Sequence, residues 1–154
     1  MASKRAIDSF LASRRIAVVG VSRNPKDFSR AVYRAFTERG YDAVPVNPAG
    51  GEVDGRRSAR RVGEVQPRVE AAFLMTPPAA TAQVVRECAE AGVKRLWMHR
   101  GAGQGAVSPE AVALCRDRGI EVVDGECPFM FLPDAGWFHG VHRFFRRLGG
   151  RLSS

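Results

Sequence analysis

The sequence predicts an α/β protein built on a parallel sheet, and three observations carry that expectation. Five apolar runs of strand length, at residues 16–20, 43–46, 69–75, 95–98 and 120–123, alternate with helical patterns. Several runs are rich in Val and Ile and almost unbroken, as strands covered on both faces require. Three times a helical stretch is closed by glycine just before a strand, at Gly40-Tyr41, Gly92-Val93 and Gly119-Ile120, where glycine most readily ends a helix. Together these give a βαβαβ rhythm with right-handed crossovers. The expected architecture is a doubly wound, Rossmann-like sheet of five parallel strands in the order 3-2-1-4-5.

Each element has its own justification. Ahead of the first strand, Ile7, Phe10 and Leu11 form a short apolar stripe expected to pack on the sheet edge. The first strand ends at Gly20 and leads to a helix on which Val32, Ala35 and Phe36 share a face. The second ends in Pro45-Val46-Asn47-Pro48. Residues 50–65 are Gly- and Arg-rich and offer only a turn of helix before the third strand. That strand is followed by Thr76-Pro77-Pro78, whose prolines suit a first helical turn with Thr76 as its cap. The helix then carries Val84, Val85, Cys88 and Ala91 on one stripe. After the fourth strand, Gly101, Gly103 and Gly105 fit either close backbone approach to a ligand or a flexible loop. Ala111, Val112 and Cys115 mark the last helix of the sheet.

Beyond residue 135, Trp137, Val141, Phe144, Phe145 and Leu148 give an amphipathic helix over about 136–148, with Arg143, Arg146 and Arg147 mostly off the apolar side. Docking on the protein's own body is favoured over a dimer contact or an anionic membrane. Neither a linker nor a repeat divides the chain, so residues 1–154 read as one domain with a core at about 14–130.

Composition narrows the class. A chain of 154 residues with 45% apolar and 26% charged residues has the makeup of a globular domain, not a disordered one. Its apolar runs all fall well short of the roughly 18 residues of a membrane span. The first 15 residues are charged throughout, unlike a secretory signal, so a soluble cytoplasmic protein is expected. The net charge of +8 favours an anionic partner. With 21 Arg against 3 Lys, however, compositional bias explains part of it until the charge finds a site. Cys88, Cys115 and Cys127 are odd in number and widely spaced, fitting neither a disulfide framework nor a zinc pattern.

In an open α/β sheet, ligands sit beyond the carboxyl ends of the strands. After the first strand stand Gly20, Ser22, Arg23, Pro25, Lys26, Ser29 and Arg30. Gly20 permits a tight turn, and the helix start offers N–H groups and a positive dipole end for phosphate. Ser22 and Ser29 can donate hydrogen bonds, while Arg23, Lys26 and Arg30 can pair phosphate charge. The same residues fit an ordinary capped junction equally well. The dinucleotide fingerprint needs glycine where Ser22 and Pro25 stand, and an NAD site needs a carboxylate near Asn47. Nicotinamide chemistry is therefore disfavoured, with NADP left open. His139 and His142, at i and i+3, lack a third metal ligand, and no catalytic set assembles.

In these pieces the chain resembles the stand-alone coenzyme A-binding proteins of YccU-like type, similar to the N-terminal domain of the succinyl-CoA synthetase α-subunit. The matching residues are Ile16-Ala17-Val18-Val19-Gly20-Val21-Ser22 with Pro25, and Gly40-Tyr41 running to Pro45-Val46-Asn47-Pro48. They continue with Thr76-Pro77-Pro78, Trp97 with Gly101, and Gly119-Ile120-Glu121-Val122-Val123 ending near Cys127-Pro128. Ser29 and His99 depart from the pattern, where Gly and Gln respectively are common in relatives. The resemblance implies that Gly20, Ser22, Arg23, Pro25 and Lys26 cradle the diphosphate and 3′-phosphate end of coenzyme A (CoA) or an acyl-CoA. It implies that Asn47 and Pro48 flank the nucleotide and that Thr76, Pro77 and Pro78 line the adenine or pantetheine side. The three phosphates of CoA suit the basic first loop.

The ligase activity of larger relatives needs further domains, including a phosphorylated histidine, so binding without catalysis is expected from these residues. Cys127 reads as a core thiol ahead of one that exchanges with CoA disulfides. The alternatives are an NADP-dependent oxidoreductase and a basic regulator of nucleic acid. The arginines of the last helix look like a solvated face, so no nucleic acid is expected. A homodimer or a partner enzyme stays open.

Overall fold

Successive residues of a strand point to opposite faces, and in this chain both sets are apolar. The computed structural model describes residues 3–100 and 105–126. Helix α1 (Lys4–Leu11) precedes strand β1 (Arg15–Val19), followed by α2 (Phe28–Glu38) and β2 (Asp42–Val46). A small hairpin, β3 (Glu52–Val53) and β4 (Arg56–Arg57), and a 3-10 turn at Val62–Glu64 lead to β5 (Ala71–Leu74). Then come α3 (Pro78–Glu90), β6 (Arg95–His99), α4 (Pro109–Asp117) and β7 (Glu121–Glu126). The five-stranded sheet is parallel, in the order β2-β1-β5-β6-β7.

Counted along the parallel strands this order is 2-1-3-4-5, which corrects the expected 3-2-1-4-5. The reason is that the outer edge of β2 is already occupied. Ala59 bridges to Val46, donates its N–H to the Pro45 carbonyl at 3.0 Å and accepts from the Asn47 N–H at 2.8 Å. The chain therefore crosses back, and β5 pairs with β1 from Ile16↔Ala71 to Val19↔Leu74. The hairpin was not expected either. Its turn, Asp54-Gly55, has φ of 49° and 83°, the type I′ pattern that joins two strands tightly.

Ile16, Val18, Phe73 and Trp97 face α1 and α2, where Phe10 and Phe36 meet them. Ala17, Val19, Leu74, Leu96 and Met98 face α3 and α4 on the other side. Phe10 stands edge-on to Trp97 with centroids 5.4 Å apart. The α1 stripe thus covers the sheet face over β6 and β7, not its edge as expected. Cys88 and Cys115 are free and buried; burial pushes both thiols up, that of Cys115 to about 12, which makes them inert core groups. No helix among the described residues is long and apolar enough to cross a membrane. Gly101, Cys127, His139, His142 and the expected helix at 136–148 lie outside the described residues.

Candidate functional site

At the carboxyl ends of β1, β5 and β6, next to the point where the strand order reverses, a cavity of about 300 Å³ is bounded by Gly20, Ser29, Met75, Thr76, His99 and Ala106. Gly20 turns the chain out of β1 at φ +97° while its N–H donates to the Val46 carbonyl at 2.9 Å. The loop that follows is held by its own polar side chains. Asn24 N–H donates to Ser22 Oγ at 3.0 Å and Lys26 N–H to Asn24 Oδ1 at 3.0 Å. Ser29 Oγ accepts from the Ser22 N–H at 2.8 Å and donates to Asp27 Oδ2 at 2.6 Å. Pro25 is exposed beside them.

The start of α2 is less open than the sequence suggested. Asp27 is its N-cap, and its carboxylate takes the Ser29 N–H at 2.9 Å. The Ser29 hydroxyl and amide hold the Asp27 carboxyl below the usual range. A negative charge therefore already sits at the positive end of this helix.

Arg30 is also committed. It is 5% exposed, donates from Nη1 to the Ser22 and Arg23 carbonyls at 3.3 and 3.1 Å, and pairs through Nη2 with Asp54. Its role is to fix the loop against the β3–β4 turn. Arg23 and Lys26, by contrast, are exposed and make no ion pair among the described residues.

The remaining expected residues divide similarly. Asn47 donates from Nδ2 to the Val21 carbonyl and accepts the Ala49 N–H through Oδ1, both at 2.8 Å, so its side chain ties the end of β2 to the first loop. Pro48 is exposed on the turn that follows. Thr76 does not cap α3: the N-cap is Pro77, with Pro78 opening the helix, and the Thr76 hydroxyl lies 2.7 Å from that of Thr81. Two prolines at this start leave few amides to meet an anion. Thr76 and Pro77 nevertheless border the cavity.

Of the cavity residues that sequence reasoning left out of the site, Phe28 and His99 carry the chemistry. Phe28 is 50% exposed, and its ring lies 5.3 Å from that of His99. His99 Nδ1 is buried without a hydrogen-bond partner among the described residues, and burial lowers the imidazole from its ordinary 6.5. An exposed aromatic at a helix start, four residues past Arg23-Asn24, was the available signal for Phe28.

The His99 shift has a definite sign. The unfolded chain binds this proton at a higher pH than the folded one, so stability rises with pH up to about 6.5 and then levels. Urea unfolding of wild type and His99→Gln between pH 5 and 7.5 should show a shallower rise in the variant; parallel curves would mean that the imidazole titrates alike in both states. Among the described residues no group of three His, Cys, Asp or Glu side chains converges for a metal.

A doubly wound sheet with a cavity at its switch point, bordered by the start of α2 and the ends of β5 and β6, and with Asn47 instead of a carboxylate directly after β2, is an open α/β domain outside the NAD fingerprint class. The chain belongs to the CoA-binding domain family, whose model matches residues 14–133. It is 30% identical over 126 residues to the uncharacterized protein YneT of Bacillus subtilis (strain 168), covering 81% of this chain and 90% of that protein. It is 35% identical over 89 residues to the α subunit of the ADP-forming acetate–CoA ligase II of Pyrococcus furiosus, covering 57% of this chain but only 20% of that subunit. The solved structure of a hypothetical protein from Pyrococcus horikoshii OT3 matches with a TM-score of 0.74 at 26% identity, covering 82% of this chain and 87% of that one.

Proposed function

We propose that this protein binds CoA or an acyl-CoA in the crevice above β1 and catalyses no reaction of its own. The observation that carries this reading is the pair of exposed cations, Arg23 and Lys26, which make no ion pair among the described residues, on a loop pre-shaped by Ser22, Asn24, Ser29 and Arg30. The diphosphate lies on the Arg23–Lys26 side of this loop, away from the Asp27 carboxylate. Thr76, Pro77, Pro78 and the Phe28 ring line the path of the less polar parts of the ligand, with Pro25 stiffening the turn. Asn47 and Pro48 border the nucleotide. The protein works in the cytoplasm, alone, as a homodimer or beside an enzyme that consumes the bound thioester.

Isothermal titration with CoA, ATP, NADPH and duplex DNA tests this reading. CoA should bind, and Arg23→Ala/Lys26→Ala should weaken it about tenfold or more, since charge-assisted bonds to phosphate are the strong ones, with the thermal unfolding curve unchanged. Equal binding of ATP, or binding of NADPH without CoA, would overturn the reading. So would DNA binding with a steep salt slope and no CoA binding.

A further inference from the structure

The β3–β4 hairpin carries more at its tip than turning the chain requires. The first central residue of a type I′ turn needs positive φ, which Asn adopts as readily as Asp, and Asp54 takes φ of 49° ahead of Gly55. What Asp adds at this place is a charge with two acceptor oxygens. Both are used by arginines one turn apart on α2, Oδ1 by Arg30 Nη2 and Oδ2 by Arg34 Nε at 3.3 Å. The Arg30 guanidinium, with help from Arg34, holds the Asp54 carboxyl below the usual carboxylate range, so it is ionised at neutral pH.

Each arginine also grips the loop after β1. Arg30 donates from Nη1 to the Ser22 and Arg23 carbonyls at 3.3 and 3.1 Å, and Arg34 donates from Nη2 to the Pro25 carbonyl at 3.2 Å. Arg30 is 5% exposed, and Asp54 is its one ion-pair partner among the described residues. The carbonyls of Ser22, Arg23 and Pro25 are thus bound by guanidinium groups that a single carboxylate holds in place. A carbonyl oxygen that swings toward a phosphate repels it, and one tied to a guanidinium does not swing.

We infer that Asp54, acting through Arg30 and Arg34, is a positioning residue for CoA binding that locks the loop from Ser22 to Lys26 in the shape its ligand meets. This assignment rests on the CoA reading above and deepens it, because it gives the hairpin a part in the site. Its sign is what makes it testable. By charge alone a carboxylate near this loop opposes an anion, so removing it should tighten binding. If the carboxylate instead keeps the loop ordered, removing it adds an ordering cost to binding and should weaken it.

The test is titration of wild type, Asp54→Asn, Arg34→Lys and Glu52→Gln with CoA. Asp54→Asn keeps the turn backbone and removes the charge, whereas Arg34→Lys keeps the charge and removes the fork that reaches Asp54 and Pro25 together. Glu52 is an exposed carboxylate on β3 of the same hairpin, without an ion pair among the described residues, so its variant reads the effect of charge alone. Asp54→Asn and Arg34→Lys should each weaken CoA about threefold or more, within the worth of an exposed ion pair. Glu52→Gln should bind at least as tightly as wild type. Amide hydrogen exchange reads loop order without ligand: the N–H groups of Ser22, Asn24 and Lys26 should exchange faster in the two weakened variants, and those of Val18 and Leu96 in the strands should not. Unchanged or tighter CoA binding in Asp54→Asn or Arg34→Lys, or exchange that quickens equally in loop and strands, would overturn the assignment while leaving CoA binding intact. Absence of CoA binding in the wild type would overturn the CoA reading and this assignment with it.

Discussion

Trp97→Ala is expected to remove about 3–5 kcal/mol of folding stability, the range for truncating a large buried aromatic. Trp97 is fully buried in β6, and its ring is the junction at which three elements meet. Phe10 of α1 lies 5.4 Å away, Phe73 of β5 lies 5.8 Å away, and Nε1 donates to the Glu126 carbonyl of β7 at 2.8 Å. Removing the ring opens a void on the α1–α2 face and leaves that carbonyl with the Arg100 N–H, at 3.3 Å, in place of its two donors. Trp97→Phe separates the two effects, because it keeps most of the apolar contact and loses the hydrogen bond; a cost of about 0.5–1.5 kcal/mol is expected for that bond, since the Glu126 carbonyl still accepts the Arg100 N–H at 3.3 Å. Urea unfolding measures both. Loss of under about 1 kcal/mol in Trp97→Ala, against the usual core range, would mean that α1 does not depend on the sheet for its docking.

How much of this was legible in the sequence depends on the range of the interaction. Strand positions follow from local apolar runs, and the expected 16–20, 43–46 and 95–98 coincide closely with β1, β2 and β6. Helix ends were legible because Gly40, Gly92 and Gly119 each take positive φ next to a strand. Strand order was not, because it turns on whether residues 50–65 cross the sheet or lie along the edge of β2, and Ala59 carries no local mark of its bridge to Val46. The β3–β4 turn did carry one, Asp54-Gly55, but its two-residue strands are too short to show alternation.

The site follows the same division. That the loop after β1 borders the crevice is a consequence of the fold class, and Gly20 and Ser29 lie on the cavity wall. Which cations stay available is a matter of distant partners. Arg30 and Asp54 are 24 residues apart, and nothing near either one in the chain says that they pair. Phe28 and His99 come from different βα units and share the cavity wall through the register of β1, β5 and β6.

Gly20→Ala is expected to cost clearly more than Gly40→Ala, although both glycines have nearly the same backbone. Their φ values are +97° and +90°, so an alanine at either position pays the same local strain, about 1–2 kcal/mol. Their surroundings differ. A Cβ at Gly40 meets nothing within 4 Å, whereas a Cβ at Gly20 falls 2.8 Å from the Met75 carbonyl oxygen. That oxygen belongs to backbone at the end of β5, where the Met75 N–H already bonds to the Val19 carbonyl at 2.9 Å, so it cannot swing aside as a side chain would. Overpacking of this kind adds about 1–3 kcal/mol. Because Gly20 also sets the exit of the loop that carries Ser22 and Arg23, the displacement that relieves the contact moves the proposed phosphate ligands. Gly20→Ala should therefore weaken CoA binding under conditions where it remains folded, and Gly40→Ala, at the far end of the strands, should not. Equal unfolding midpoints for the two variants, or unchanged CoA affinity in folded Gly20→Ala, would show that the close approach of β1 and β5 does not shape the crevice.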